Sequence, residues 1–306
     1  MNKRLLTYLI PVVTLGMIAL NLGWPEQVKG FEVAFFIILM VLTGIPHGAT
    51  DHLIYRISQQ RRGLKVSYAR FFFIYLAAMA FYGICWYVAP VLSLGFFLLL
   101  SAFHFGQSQL IHLNIPENRP VKWLTYITWG FAVLAAIVLL HPQESGEILS
   151  VLFSSDSPLV LFTYGMEITA LLMGTIVVML VVAWRMDWMS GQSCIQEIVN
   201  LGLLLLLCMT TSLLISFAVY FGLWHALHSI RLEVQSLRKE YPNFSLGEFV
   251  KKALPFSLIS FVGVGILLFL GGMLSSQISP YLLFFIAISA LTLPHMMYMQ
   301  RFYEVK

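Results

Sequence analysis

The strongest constraint on this chain is a recurring run of about 20 apolar residues without a charge, broken only by short polar or basic connections. A run of that length crosses the ~30 Å hydrocarbon core of a bilayer as a helix. Only 10% of the residues are charged and 59% are apolar, against about 25% and about 45–50% in water-soluble domains. Too few charges remain to cover a surface facing water. The expected fold class is therefore all-α: a polytopic membrane helix bundle with about ten transmembrane helices, forming a single integral membrane domain over residues 1–306. The expected spans are roughly 5–23, 31–55, 68–88, 91–113, 122–140, 159–184, 193–209, 212–231, 253–273 and 280–300. The stretch 193–231 is too long for one crossing, and Thr210, Thr211 and Ser212 supply the turn that divides it. The basic start and apolar run of MNKRLLTYLIPVV read as a retained first helix, since no clear small-residue cleavage site follows.

The basic residues set an orientation. With the N-terminus in the cytoplasm, all 18 Lys and Arg residues except Lys29 fall in inner segments. So one-sided a positive-inside bias predicts both termini cytoplasmic and a multi-pass protein of the cell (inner) membrane. It also accounts for the net charge of +4, so no nucleic-acid partner is expected. The segment 141–158 carries Glu144, Glu147 and Asp156 with no Lys or Arg, as an outer loop does. Trp24, Trp86, Trp123 and Trp188 fall near span ends, where aromatic belts lie. Cys85, Cys194 and Cys208 are odd in number and widely spaced, so nothing suggests a disulfide framework or a CxxC metal site.

Ionisable groups at membrane depth are costly and mark function. The segment VLTGIPHGATDHLIYR, 41–56, carries His47, Asp51 and His52. His104, His225, His228 and His295 lie in other spans. In the expected topology the spans holding His47, His104, His225 and His295 all run inward, and each histidine falls about 13–16 residues in, or roughly 20–24 Å deep. Histidines with separate structural jobs have no reason to share a depth. The pattern points to one metal ion. His225 and His228, three apart, share a helix face and suit a ligand pair. Imidazole suits Fe, Cu, Zn and Ni alike, so the donor type alone does not choose. Asp51, one turn beyond His47, and Gln107, near His104, are positioned to orient the rings. His52, His112 and His141 read as ordinary hydrogen-bonding or interfacial histidines. Pro46 and Pro294 each precede a histidine and free a carbonyl within the helix. Gly44, Gly48 and Gly106 permit close helix approach beside them.

At these residues the chain resembles the Brp/Blh family of bacterial and archaeal β-carotene 15,15'-dioxygenases. The resemblance rests on GIPHGATD at 44–51, HFG at 104–106, YFGLWH at 220–225 and ALTLPHM at 290–296. It implies a membrane enzyme with a non-haem Fe(2+) held by histidines, cleaving the central double bond of β-carotene or a related carotenoid with O2 to give two retinal molecules. His47, His104 and His225 match the family's first three ligands. Ser229 stands where the family usually has a second histidine, with His228 one residue earlier, so His228 is the expected fourth ligand and His295 the alternative. Gln109 stands where an aspartate commonly follows HFG. The implied partners are a carotenoid, O2 and the lipid bilayer, with a retinal-binding rhodopsin as a candidate acceptor of the product. Two other classes remain open: a His-rich transporter, which would move solute without a metal, and a haem-binding electron carrier, which would show a haem absorption band.

Overall fold

The structure is a computed structural model that describes residues 3–116, 120–153, 160–274 and 279–304. Among these the chain is all-helical. Nine helices are long and apolar enough to cross a membrane: Pro25–Arg61, Tyr68–Val88, Pro90–Leu110, Pro120–Leu139, Gly165–Arg185, Gly191–Thr210, Leu213–Glu240, Leu246–Met273 and Pro280–Gln300. The first helix, Lys3–Gly23, begins on a polar, basic turn, and its apolar stretch is the shorter Tyr8–Gly23. Large apolar side chains line the outer faces. On Leu246–Leu274 these include Leu258, Ile259, Val262, Ile266 and Phe269, each more than half exposed. Such a face suits lipid and not water.

The helix ends follow from local chemistry. Pro25, Pro90, Pro120, Pro142 and Pro280 each open a helix, where a residue without N–H costs nothing. Ser67, Ser190 and Ser212 cap theirs by accepting from the N–H three residues on. The turn expected at 210–212 is present. Glu144 reinforces it by accepting from the Leu213 N–H at 2.6 Å. Among the helices that outrun their expected spans are Pro25–Arg61 and Leu213–Glu240. Their polar ends, DHLIYRISQQR and HSIRLEVQSLRKE, are helix formers that continue the run past the apolar limit.

The described helices cluster in two compact units. One comprises Met1–Met40, Leu98–Glu147 and Ser155–His225. Its core holds the fully buried Ala132, Val133, Ala136, Ile176, Leu180 and Leu207. Here Pro90–Leu110 and Pro120–Leu139 meet backbone to backbone. A Cβ on Gly106 would overlap the Tyr126 carbonyl, and one on Gly130 the Ala102 carbonyl. Paired glycines are what such an approach requires. The other unit comprises Val41–Phe97, Ile148–Ser154 and Ala226–Lys306. It packs Tyr68–Val88 against Pro280–Glu304 through Phe71, Tyr75 and Tyr298. Trp86, expected in an interfacial belt, is instead 5% exposed and donates to Ser289 Oγ at 2.7 Å. Its indole is an internal strut, because Ser289 gives the N–H a partner inside the protein.

Candidate functional site

The two units carry a histidine pair each. In the first, His104 and His225 are almost fully buried, at 2% and 3% exposure. Their ring centroids are 4.9 Å apart with planes at 75°. His104 owes its placement to the close glycine packing two residues on at Gly106. His225 lies in a π-helical stretch, Val219–Leu227. Such stretches use i→i+5 bonds and are frequent at functional sites. Aromatic rings surround His225: Phe105 at 4.7 Å and Phe221 at 5.6 Å between centroids. Tyr220 packs behind Phe105 at 5.2 Å.

In the second unit the pair is His47 and His295, at 6% and 4% exposure. Their centroids are also 4.9 Å apart, with planes at 80°. His47 follows another π segment, Met40–Gly44, and a single α turn, Ile45–Gly48. Pro46 has no N–H to offer the Leu42 carbonyl, so the helix loosens here and restarts at Asp51. Within the loosened turn, His47 Nδ1–H donates to the Gly44 carbonyl. Gly48 lies against the His295 ring, 3.5 Å from Nδ1 to where its Cβ would be. His295 Nδ1–H donates to Asp51 Oδ1 at 2.8 Å. Tyr75 Oη–H donates to Asp51 Oδ2 at 3.1 Å. Pro294 leaves the Ala290 carbonyl without its helical donor just before this histidine.

The structure thus places the expected residues as follows. Asp51 serves His295 and not its helical neighbour His47, because the break at Ala49–Thr50 lies between them. Gln107 is buried. His228 is half-buried and begins the α-helix that follows the π stretch. In the wider π turn each residue rotates by less than the ~100° of an α-helix, so a residue three positions on does not return to the same face. That weakens the face-sharing expected of His225 and His228. His141 ties two helix ends, to the carbonyls of Ile137 at 2.7 Å and Thr211 at 2.8 Å. His52 packs on Phe256 at 4.5 Å. Gln109 donates its carboxamide to the buried Glu197 at 2.9 Å. A carboxylate at position 109 would face that carboxylate instead, which explains an amide here.

Two residues of this network were not visible in the sequence. Tyr75 is one aromatic among many in FFFIYLAAM, and nothing local marks it as the partner of Asp51. Glu233, fully buried, accepts from Thr50 Oγ1 at 2.6 Å. An intramembrane acid is a signal in principle, but Glu233 falls past the apolar run, among charges that read as cytoplasmic.

Buried imidazoles are donors that suit Fe, Cu, Zn and Ni alike. The model of the family described as Beta-carotene 15,15'-dioxygenase matches residues 38–303. A protein of Uncultured marine bacterium 66A03, named Beta-carotene 15,15'-dioxygenase, is 27% identical over 268 residues, covering 84% of this chain and 89% of its own length. No solved structure matches.

Proposed function

Because the chain belongs to the beta-carotene 15,15'-dioxygenase family, we propose that it cleaves the central double bond of β-carotene with O2, yielding two molecules of retinal. His47, His104 and His225 hold one Fe(2+) in this reading; each of the three is a buried histidine. The observation that carries the proposal is a pair of perpendicular buried imidazoles in each unit of a chain matched to this family along most of its length. The same reading places both termini in the cytoplasm of the inner membrane, from the distribution of Lys and Arg.

When bound, the iron supplies the activation of O2 next to the polyene. The chain's own residues do the rest. The Gly44 carbonyl holds the proton of His47 on Nδ1, which makes Nε2 the donor atom. Phe105, Phe221 and Tyr220 wall off His225 with apolar surface and exclude water from its ring. Histidine donors are neutral, so they leave the ion its full charge. The membrane setting lets an insoluble carotenoid arrive from the lipid, and a fixed site then selects one of its many double bonds by position. The central C=C bond and the O=O bond break and two C=O bonds form, so both atoms of O2 are used and the reaction calls for no reductant.

The test is expression in bacteria that accumulate β-carotene, followed by chromatography of the extracted pigments. Retinal should appear as the orange colour fades, and should not appear with His47→Ala. Cleavage that survives iron removal by a chelator overturns the iron. Cleavage at another bond overturns the stated product. Intact carotene beside metal-free, well-inserted protein returns the transporter reading.

A further inference from the structure

We propose that the turns carrying Arg56 and Lys252 form a site for the phosphate headgroup of an anionic phospholipid. The site lies wholly within the second unit and does not depend on the iron reading. Three observations carry it.

The first is convergence. His52 and Arg56 stand one turn apart on the helix Asp51–Arg61, and Lys252 and Phe256 one turn apart on Leu246–Leu274, so each pair shares a face. The His52 and Phe256 rings meet at 4.5 Å between centroids, which turns the two faces toward each other. Thr50 meets Glu233 and Arg61 meets Glu240, so His228–Glu240 runs beside Asp51–Arg61 in the same direction. The short connection 241–245 then turns the chain back, and Leu246–Leu274 runs the opposite way. One turn beyond the His52–Phe256 contact, Arg56 and Lys252 therefore arrive at the same level. Lys252 is also within electrostatic reach of His52.

The second is charge. Two cations at one level favour an anion between them, and the protein supplies none. Among the described residues neither Arg56 nor Lys252 is in an ion pair. Glu240 is taken by Arg61 at 2.8 Å. Glu248, one turn before Lys252 on the same helix, forms no ion pair with it. Arg56 is half-buried, and its guanidinium lies over the Tyr241 ring, 5.5 Å from the centroid. That contact steadies the guanidinium plane and leaves its N–H fork for a phosphate, an anion whose geometry the fork matches. Lys252 is exposed and adds a mobile point charge.

The third is what lies beside the charges. Ile259, Ile266 and Met273 follow Lys252 at intervals of seven residues, each step drifting only ~20° around the helix. All three are more than half exposed. A cationic end that leads into an apolar strip fits a molecule with a charged head and an acyl chain. A free phosphate would use the head of the site alone.

The experiment is native mass spectrometry of the purified full chain in neutral detergent, titrated with phosphatidylglycerol and separately with phosphatidylcholine. The first lipid bound should be held more tightly when it is phosphatidylglycerol. Its affinity should fall about fivefold in Arg56→Gln or Lys252→Gln, and on the order of 20-fold in the double variant. Arg56→Lys should keep most of the affinity, which a misfolded chain would not. Removing the same charge from the exposed connection, by Arg62→Gln with Lys65→Gln, should leave it within about twofold. Equal losses in the two double variants overturn the site in favour of diffuse surface charge. Equal affinity for the two lipids overturns the anionic headgroup. Displacement of the first phosphatidylglycerol by inorganic phosphate at comparable concentration assigns the site to free phosphate and overturns the lipid.

Discussion

His104 with His225, and His47 with His295, are pairs of equal spacing and similar tilt, yet the two are held by different means. Aromatic rings press on His225. Hydrogen bonds from Nδ1 hold His47 and His295, one to a backbone carbonyl and one to a carboxylate. An apolar wall restricts where a ring lies. A polar partner also decides which nitrogen carries the proton, and so which one faces a ligand. The ring contacts on His225 answer to volume and the Nδ1 partners of His47 and His295 to chemistry, so substitutions should separate the two kinds of contact.

The largest effect should come from removing an imidazole. His47→Ala, His104→Ala and His225→Ala should each abolish retinal formation while leaving membrane insertion intact, measured by pigment chromatography beside membrane fractionation. Retained turnover in any of them removes that residue from the ligand set. Next comes the helix contact beneath His104. Gly106→Val asks for backbone movement where the Tyr126 carbonyl already sits, so it should destabilise the fold by about 1–3 kcal/mol or more. A thermal-melt comparison in detergent with Gly95→Val, which has open space, provides the reference. An equal melt for the two would mean the helices can part freely.

A smaller effect should mark the polar pair. Tyr75→Phe deletes one hydrogen bond to Asp51, worth about 1.5–3 kcal/mol if the carboxylate is charged. Iron affinity should fall by about tenfold, with the melt little changed. The smallest effect should mark the aromatic wall. Phe105→Leu keeps an apolar residue against His225 and should cost under about 1.5 kcal/mol. Retinal yield should fall while Fe(II) affinity stays within a few-fold. If Phe105→Leu lost more iron than Tyr75→Phe, volume and not polarity would govern both pairs.

Much of the scaffold was legible in the sequence, because a membrane leaves a chain few options. Apolar run length located the long helices, and Thr210–Ser212 announced a turn. His47, His104, His225 and Asp51 stood out because imidazoles and carboxylates are rare in such runs. What escaped was whatever depends on meeting across the chain. Asp51 and His295 are 244 positions apart, and Asp51 had nearer candidates in His52 and Arg56. Tyr75 carries no local mark. Trp86 read as interfacial from its place at a span end, but its indole found Ser289 inside. The π stretches have no pattern of their own, and the i, i+3 argument for His225 and His228 assumed an α turn that the helix does not make there.

Those stretches have an implication for insertions and deletions. A π turn holds an extra residue relative to the α turn it interrupts. Removing one residue between Val219 and Leu227 would let the helix close as a regular α-helix. The segment after it would keep its direction, because the turn loses only the residue it holds in excess, and the face of His228–Glu240 that buries Glu233 against Thr50 would stay in place. A one-residue deletion here is absorbed by the π stretch, whereas the same deletion inside the α-helix His228–Glu240 would turn the residues after it by roughly 100°.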